Sequence, residues 1–488
     1  MGRIRVCFVL VSIFFFHCSN QHHTPEDQVL VYVGEKTITI QDFIRRSEYT
    51  IRPVYCRQSN YIHKKIILNS LIAEKLLAIE MENQNDKLLN SKGFLSFIKG
   101  RKEQAMRKIF YDKKFYKEIS IEEKDINEKY QMAGRTIKVN YINLPDMKTA
   151  LKVKQLKVKG IGLDSIYMSL YGGAVPARFI NWFDREPDEI HEQLFKKGLK
   201  KNQLLGPFRT ETNTYLLMEV SGWIDQPVIT EEEKQLRWAD TKDRISETAA
   251  KKLYFDYVKK LMSGYQMKLN KDVFDKYSTI AADYYLKNED EKENAINQAI
   301  WQNKETELLD SFDKRNALDP SSRLFTYRDK DWNVQSFNDL LKSHPLVFRK
   351  NKMNRSEFRA QLKFAMADLL RDVEITNQCY DLGLDDDWRV KANESQWYDA
   401  YASKRHIQLS FPESADMQQI LDHYNPIIDS LQQVYSNKIQ INTRLLEDLK
   451  LTTTDMMVTQ KGVPYPIVVP GFPIITTDDR LDYGSKLN

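Results

Sequence analysis

The side chains that could do chemistry in this chain are few and dispersed. Among its eight histidines only His22 and His23 are adjacent, and no third metal ligand lies near them. The run Asp385–Asp387 offers carboxylates but lacks the spaced ligands and the glycine of a calcium loop, so we interpret it as a solvated turn or helix start. There is no Gly-x-Ser-x-Gly turn, no His-Glu-x-x-His helix and no phosphate-binding Gly-rich loop. The sequence therefore predicts no metal, no cofactor and no nucleotide.

The four cysteines show no metal-ligand spacing. Cys7 and Cys18 lie near the start of the chain, whereas Cys56 and Cys379 are more than 300 residues apart. That separation gives no disulfide framework. We expect Cys56 and Cys379 to be free, buried thiols.

The start of the chain has the features of an export signal. Arg3 and Arg5 precede an apolar run, Val6–Phe16, which has secretory length and is too short for a comfortable membrane span. Cys18 follows that run and resembles the cysteine of a bacterial lipoprotein signal, whose thiol is lipidated after cleavage. Small residues are absent just before it, so an ordinary cleaved signal with an incidental cysteine is the alternative. Residues 19–28 are polar and are interpreted as a tether.

Composition favours a folded chain of several domains. Hydrophobic residues make up 42% of the sequence and charged residues 29%, and 488 residues exceed what one core usually supports. The chain has 73 basic and 68 acidic side chains, a net charge of +5. Most of the excess lies between Tyr61 and Glu118, where both signs are mixed. This mixture indicates solvated helix faces rather than a nucleic-acid-binding surface.

The elements that position these side chains begin with a predicted hairpin. Strand residues from Val29 are followed by a turn at Gly34 and a second β-branched strand. Thr39 and Asp42 form a capping box that starts a helix. A later helix is indicated by apolar residues at helical spacing, namely Leu68, Ile72, Leu76 and Ile79. A second capping box is predicted at Ser120 and Glu123.

The next part of the chain has an α/β pattern. Its predicted elements are a strand at Ile137–Leu144, a basic helix at Thr149–Lys159, a loop at Gly172-Gly173, a helix at Asp188–Lys197 and paired strands at Gly206–Phe208 and Thr214–Val220. A helix then starts at a capping box formed by Thr230 and Glu233. Its predicted buried stripe is Ile245, Ala249, Leu253, Tyr257 and Leu261.

An internal repeat relates the two halves of the chain. Gly34–Phe43 is matched 294 residues later by Arg328–Phe337, with the same strand-turn-strand-helix pattern. The helix that follows the second copy has a similar stripe, made of Phe358, Leu362, Met366, Leu369 and Val373. Met267–Asn270 is also matched by Ile439–Asn442 near the module ends. The pattern predicts two copies of one helical module, of which only the first carries the α/β segment.

The C-terminal segment is rich in proline. Val463–Pro473 contains four prolines in eleven residues, so it must be extended and cannot enter a central strand. We favour a strap that packs on the chain's own body over an arm that docks on a partner.

These pieces together resemble the periplasmic parvulin-type foldases of the SurA and PrsA type, in which a Val-x-Val-Gly-x-x-x-Ile-Thr hairpin opens a helical chaperone module. Leu71–Leu77 matches the family's Leu-Ile-x-Glu-x-Leu-Leu helix, and Ile119–Tyr130 matches the segment before the parvulin domain. That domain is indicated by Gly172-Gly173, Asn181–Phe183 and Leu199–Phe208. The resemblance covers roughly residues 29–280, and it reaches the second half only through the repeat.

The resemblance implies an α+β fold with two mostly helical chaperone modules, the first carrying an inserted parvulin-like α/β domain. The implied boundaries are 1–18 for the signal, 19–28 for the tether, 29–132 for the N-terminal helical module, 133–225 for the parvulin-like domain, 226–285 for the helix and strand that complete the first module, 286–320 for a connector, 321–457 for the second helical module and 458–488 for the proline-rich tail.

The family's catalytic positions are replaced in this chain. Tyr141 stands where the family has its first histidine, and Tyr215-Leu216 stands where it has the second. The cysteine or aspartate expected near Met168 is absent. The one histidine of the domain, His191, is predicted at the surface. The resemblance thus implies a vestigial cleft, lined by Tyr141, Met168, Trp182, Phe183, Ile190, Phe195, Tyr215 and Leu216.

Such a cleft could hold extended or proline-containing chain without catalysing rotation about the amide, although a different catalytic scheme is an alternative. The resemblance predicts a periplasmic folding factor that holds unfolded or extended polypeptides, including outer-membrane proteins, without ATP. A lipid on Cys18 would anchor it to the outer membrane, and no nucleic acid or nucleotide is an expected partner. The alternatives are an active peptidyl-prolyl isomerase and a structural lipoprotein subunit of an outer-membrane assembly complex.

Overall fold

A computed structural model describes residues 28–184, 186–210, 214–286, 318–350, 353–411, 415–452 and 463–487. The predicted signal with Cys18, the tether up to residue 27 and the charged stretch Lys287–Lys304 lie outside these ranges. Within them, no helix combines the length and the apolar character needed to cross a membrane.

The described residues form eleven strands and fourteen α-helices. The strands are β1 (Val29–Val33), β2 (Lys36–Thr39), β3 (Arg135–Leu144), β4 (Ala177–Asn181), β5 (Leu204–Arg209), β6 (Tyr215–Asp225), β7 (Lys268–Leu269), β8 (Arg323–Tyr327), β9 (Lys330–Asn333), β10 (Ile439–Ile441) and β11 (Ser485–Lys486). The helices are α1 (Ile40–Glu48), α2 (Tyr61–Gln84), α3 (Lys92–Tyr111), α4 (Glu123–Ala133), α5 (Met147–Val158), α6 (Leu163–Tyr171), α7 (Asp188–Leu194), α8 (Glu231–Leu261), α9 (Lys271–Tyr285), α10 (Val334–Ser343), α11 (Arg355–Asp381), α12 (Trp388–Ser410), α13 (Met417–Val434) and α14 (Thr443–Asp448). Helices with three small sheets confirm the α+β class.

The chain divides into two compact units. Among the described residues, the first comprises those between 28 and 76, between 415 and 452 and between 471 and 487, and the second comprises those between 77 and 411 and between 463 and 470. The first unit contains a four-stranded sheet in the order β11-β10-β1-β2. The second contains the sheets β4-β3-β6-β5 and β7-β8-β9.

Two of the sheets belong to modules with one backbone plan. We call β1, β2 and α1 with β10, β11 and α14 the first hairpin module, and β7, β8 and β9 with α9 and α10 the second hairpin module. Residue 31 pairs with 441 in the first, and the equivalent residue 325 pairs with 269 in the second. The Asn442 N–H donates to the Leu30 carbonyl, as the Asn270 N–H does to the Leu324 carbonyl. This bond-for-bond match confirms the repeat between the hairpins and the strand-cap segments.

The strands that complete the two hairpins are exchanged relative to the sequence prediction. Residues 226–285 are predicted to complete the first module, whereas β7 pairs with the second hairpin, at β8. The first hairpin is completed instead by β10, from the far end of the chain. Both candidate strands have the same pattern, a short apolar strand followed by a capping asparagine. Local sequence therefore could not decide which hairpin each strand joins.

Two of the three predicted capping boxes are present. The capping boxes predicted at Thr39 with Asp42 and at Thr230 with Glu233 are both present. The box predicted at Ser120 and Glu123 is wrong, because α4 begins two residues later than it requires, with Glu122 as its N-cap and no side-chain cap. A capping residue must lie directly before the first turn for its side chain to reach the free N–H groups.

The buried stripes are predicted well for α2 and poorly for α8. Leu68, Ile72 and Leu76 are fully or almost fully buried. On α8, Leu253 is instead 45% exposed, and the buried residues are Thr241, Ser246, Ala250 and Tyr254. The buried face is therefore rotated by about one residue from the predicted one, because small and hydroxyl side chains occupy part of the contact.

The proline-rich segment packs on the body as a strap. Tyr465 is buried, and its hydroxyl bonds to the Tyr254 hydroxyl at 2.9 Å and to the Asp372 carboxylate at 3.0 Å. Farther along, the Asn69 side chain donates to the backbone carbonyls of Asp478 and Arg480 at 2.8 and 2.7 Å. These bonds satisfy carbonyl groups that an extended segment cannot pair within itself.

Candidate functional site

The α/β segment is built on one antiparallel sheet, β4-β3-β6-β5. Its long central strands β3 and β6 pair from Arg135–Asp225 to Leu144–Tyr215. Gly206 allows the edge strand β5 to approach β6, because an added Cβ there would lie 2.6 Å from the Leu216 carbonyl oxygen and its φ is +95°. The strands predicted at residues 137–144, 206–208 and 214–220 are thus present, and β5 and β6 pair as expected.

One face of this sheet is filled by an aromatic core. Alternate residues of β3 and β6 point to it, and α7 covers it. Five of the predicted cleft residues belong to or pack against this core, namely Tyr141, Trp182, Ile190, Phe195 and Leu216. Trp182, Ile190 and Phe195 are no more than 5% exposed. These three side chains stabilise the segment rather than line an open surface.

The other three predicted cleft residues lie elsewhere. Tyr215 is next to Leu216 in β6 and therefore faces the opposite side, where it packs against the core under α5 and α6. Met168, on α6, is 59% exposed, and Phe183 is 55% exposed. The structure consequently places Tyr141 and Tyr215 on different faces of the sheet, so the two tyrosines at the family's histidine positions do not form a pair.

The polar groups near Tyr141 are charged rather than acid-base pairs suited to proton transfer. The Arg178 guanidinium lies 5.7 Å from the centre of the Tyr141 ring. Arg178 also forms an ion pair with Glu186 at 2.8 Å. The guanidinium and the carboxylate at this corner are therefore already paired with each other.

His191 is buried, so the predicted surface position is wrong. Its ring stacks near Phe195, and its Nε2 lies 3.0 Å from the Trp182 carbonyl oxygen. Burial and the nearby Arg244 lower the pKa of His191 to about 3. The unfolded chain takes up a proton near pH 6.5 and the folded chain does not, so this contribution to stability weakens as the pH falls below that value. His191 is buried because it lies beside Ile190 and Leu194 on the face of α7 that packs on the core.

The opposite face of the sheet leaves an apolar surface uncovered. Phe179 of β4 is opposite Lys138 of β3, and Ile224 of β6 is opposite Thr136 of β3. Since residues 136 and 138 are two apart, all four side chains lie on one face. Phe179 is 58% exposed and Ile224 66% exposed, with Lys138 between them. We call this patch the exposed sheet face.

Helix α6 adds further apolar groups on the same side of the segment. Met168, Leu170 and Tyr171 are each about half exposed, and the Tyr171 hydroxyl donates to the Asn143 carbonyl at 2.7 Å. Ten of the 27 large apolar side chains exposed in the described residues lie between Arg135 and Asp225, about a fifth of the chain. Sequence reasoning missed α6 and β4. The alternation in Arg178–Asn181 and the apolar ridge Met168–Tyr171 were the available signals.

The other side chains considered for chemistry have structural roles. In the described ranges, no three His, Cys, Asp or Glu side chains are grouped so that they could hold a metal ion. Cys56 and Cys379 are free and buried, as predicted, and burial raises the pKa of Cys56 to about 11 and that of Cys379 to about 12. Asp387 caps α12, as the helix-start interpretation predicts. Burial raises the pKa of Asp387, but hydrogen bonds from Arg389 and Lys113 outweigh it and hold this pKa well below its usual value.

A distant match is found among solved structures. No family model matches the chain, and no curated protein matches it. A solved structure of the peptidylprolyl isomerase PrsA from Bacillus cereus matches 47% of this chain and 92% of its own, with 15% identity and a TM-score of 0.19. A match this weak assigns neither fold nor function, so the parvulin resemblance depends on the residues quoted above.

Proposed function

We propose that this chain is an exported folding factor that holds unfolded or extended polypeptides and does not catalyse prolyl isomerisation. The observation that carries the proposal is the exposed sheet face, where Phe179 and Ile224 are uncovered, together with the exposed apolar residues of α6 on the same side of the sheet. Exposed apolar surface on a folded domain commonly marks a site of protein interaction. Methionine and aromatic groups suit varied clients, because they adapt to different side chains.

The residues around Tyr141 support the proposed absence of catalysis. A parvulin-type cleft is expected to place polar, titratable groups around a twisted amide. In this segment the corresponding positions carry Tyr141 and Tyr215, which face opposite sides, and His191 is buried against Trp182 and Phe195. Rotation about a prolyl bond has a barrier of about 18–20 kcal/mol, and binding alone lowers it little unless the twisted state is bound more tightly.

The proposal is tested by two assays on the purified chain. We expect no acceleration of cis–trans exchange in a proline tetrapeptide, together with suppression of aggregation of an unfolded outer-membrane protein at near-stoichiometric amounts. Clear catalysis that is lost on Tyr141→Phe would instead make the chain an isomerase. If the chain neither accelerates isomerisation nor suppresses aggregation, the proposal is contradicted and a structural subunit is favoured. Such a subunit should form a stable stoichiometric complex in a pull-down.

A surface variant locates the activity. Phe179→Ser with Ile224→Ser removes two exposed apolar groups, so the fold is expected to be unchanged. We expect aggregation suppression to fall severalfold. Phe255→Ser with Leu382→Ser is the matched control, because these side chains are 60% and 62% exposed but lie outside the α/β segment. If both double variants suppress client aggregation equally well, the exposed sheet face is not the client surface.

We further propose that the chain is periplasmic and held at the outer membrane by a lipid on Cys18. The support is the arrangement of Arg3, Arg5 and the apolar run Val6–Phe16 ahead of that cysteine. Labelling of growing cells with a radioactive fatty acid should mark the wild-type chain and leave Cys18→Ser unlabelled. Label on neither form would favour an ordinary cleaved signal.

A further inference from the structure

The two hairpin modules differ at one edge of their sheets. In the first module β11 runs parallel beside β10, with Ser485 opposite Gln440 and Lys486 opposite Ile441. In the second module the sheet ends at β7, and no strand of the described residues lies beside it. The equivalent position next to β7 is therefore open in the part of the chain that the structure describes.

Backbone geometry shows what this open position offers. Because the Asn270 N–H donates to the Leu324 carbonyl, the alternation of an antiparallel pair turns the N–H and C=O of Leu269 away from β8. Ile441 has the same orientation in the first module, and there its carbonyl accepts from the Leu487 N–H at 3.0 Å. The N–H and C=O of Leu269 therefore point outward, as do the equivalent groups of Ile441 that β11 bonds to in the first module.

Burial agrees with this comparison. Ile439 and Ile441, in the strand that β11 flanks, are 0% and 1% exposed. Their counterparts Met267 and Leu269 are only half-buried, and Lys268 between them is exposed. An added strand on β7 would cover main-chain and apolar groups that the first module already covers.

We propose that the outer edge of β7 binds a short extended stretch of an unfolded client polypeptide, which adds as a parallel strand as β11 does on β10. This inference rests on the proposed function and supplies a binding mode for it. Strand addition uses main-chain groups that every residue except proline carries, so it tolerates varied client sequences. Only two residues of β7 take part, and so short a ladder gives the weak, rapidly reversible contact that a holdase without an energy source needs.

The surroundings of the edge suit a polypeptide client. Tyr265 is 44% exposed, and the Arg328 guanidinium lies 3.9 Å from the centre of its ring. Met262 and Met267, which lie just before β7 in the chain, are only partly buried where they pack against the core of this module. Aromatic and methionine side chains adapt to many partners, so these residues suit a varied client strand.

The first test uses the unaltered chain and a labelled probe, a short proline-free peptide of alternating valine and threonine. Binding is followed by fluorescence anisotropy. Two further peptides are methylated at alternate amide nitrogens, one at the amides that face β7 and one at the amides that face away. Methylation of the amides that face β7 should weaken binding by about tenfold or more, and methylation of the others should change it little. Equal affinity for both methylated peptides and the unmodified one would overturn the proposal.

The second test alters the edge itself. Leu269→Pro removes the outward N–H while leaving the inward bonds of Lys268 and Asn270 to β8, and Leu269→Val keeps that N–H. We expect a loss of about tenfold for the proline variant and little change for valine. If peptide binding survives Leu269→Pro but falls in the Phe179→Ser, Ile224→Ser variant, the inference is wrong while the proposed function stands. If the wild-type chain binds neither peptide nor client, both fail.

A second copy of the chain is the competing occupant. Sedimentation of the wild-type chain should show no dimer that depends on the β7 edge. Such a dimer would be recognised by its loss in Leu269→Pro. A dimer of that kind would assign the edge to self-association and contradict the client proposal.

Discussion

The two hairpin modules share a backbone plan and differ in what completes it. In the first, Arg46 of α1 is 1% exposed and forms a two-pronged ion pair with Glu74 at 2.7 and 2.8 Å, and it also donates to the Gly471 carbonyl. In the second, the position equivalent to Arg46 is Leu340, an apolar residue packed against the core. The first module also has an outer strand, β11, whereas no strand of the described residues lies beside β7 in the second. The hairpin and its helix have the same register in both modules. The backbone plan of the module therefore does not depend on the buried ion pair or on the fourth strand.

This difference indicates how a repeated scaffold can divide its tasks. In the first module β11 flanks β10, whose Ile439 and Ile441 are buried. In the second, no strand of the described residues flanks β7, and Tyr265, just before it in the chain, is 44% exposed. We infer that the closed copy mainly provides stability and the open copy provides binding.

The largest effect is expected from the residue that the modules share. Phe43 and Phe337 are equivalent, and each is 0% exposed. Phe43→Ala and Phe337→Ala should each lower the free energy of unfolding by about 4 kcal/mol, through lost burial and the cavity left behind. Urea denaturation followed by circular dichroism measures this. Phe255→Ala, with a side chain 60% exposed, is the control and should cost less than about 1 kcal/mol. If the two substitutions lower the free energy of unfolding by strongly different amounts, Phe43 and Phe337 do not have equivalent roles.

The next effect is specific to the first module. Glu74→Gln leaves the buried Arg46 guanidinium without its counter-charge and should cost about 3 kcal/mol. Glu82→Gln, at an exposed position of the same helix, should be nearly neutral. Arg46→Leu combined with Glu74→Met should cost less than Glu74→Gln alone, because it copies the apolar solution of the second module. A double variant that is less stable than the single one would show that the ion pair is required.

Removing residues 484–488 should convert the closed module into an open one. The loss of the β11 bonds and of the cover over Ile439 and Ile441 should cost about 1–2 kcal/mol. The valine–threonine peptide should then bind at a second site, and titration calorimetry should show a stoichiometry that doubles. An unchanged stoichiometry would mean that the two edges are not equivalent.

The smallest effect concerns the hairpin turns. In the second module Arg328 and Asp329 have φ values of +50° and +57°, which favour glycine, whereas the first module has Gly34 at the first of these positions. Asp329→Gly should raise the free energy of unfolding by about 0.5 kcal/mol. Glu35→Gly, at the equivalent position of the first module, should bring no gain, because Glu35 does not have a positive φ. A gain at both positions would contradict this reason.

Local features were predictable because their causes are local. The strands from Val29, the caps at Thr39 and Thr230 and the strand Ile137–Leu144 follow from patterns within a few residues. The exchange of β7 and β10 was not predictable, because Met267–Asn270 and Ile439–Asn442 have the same pattern and only the tertiary fold selects partners.

The site was less predictable than the fold. The family resemblance grouped Tyr141 with Tyr215, but one residue of offset in β6 places Tyr215 on the other face of the sheet. The burial of His191 and the exposure of Phe179 depend on which helices cover the sheet, and neither can be obtained from strand patterns alone. The expected cleft residues Trp182 and Phe195 are core residues for the same reason.

The most direct test of the account is hydrogen–deuterium exchange of the whole chain with and without an unfolded outer-membrane protein. We predict slower exchange in two stretches on client addition, around Met168–Phe183 and around Tyr265–Asn270. Exchange at Ile439–Asn442 should not change, because β11 already covers that edge. Unchanged exchange in both stretches at a client concentration that suppresses aggregation would contradict the account.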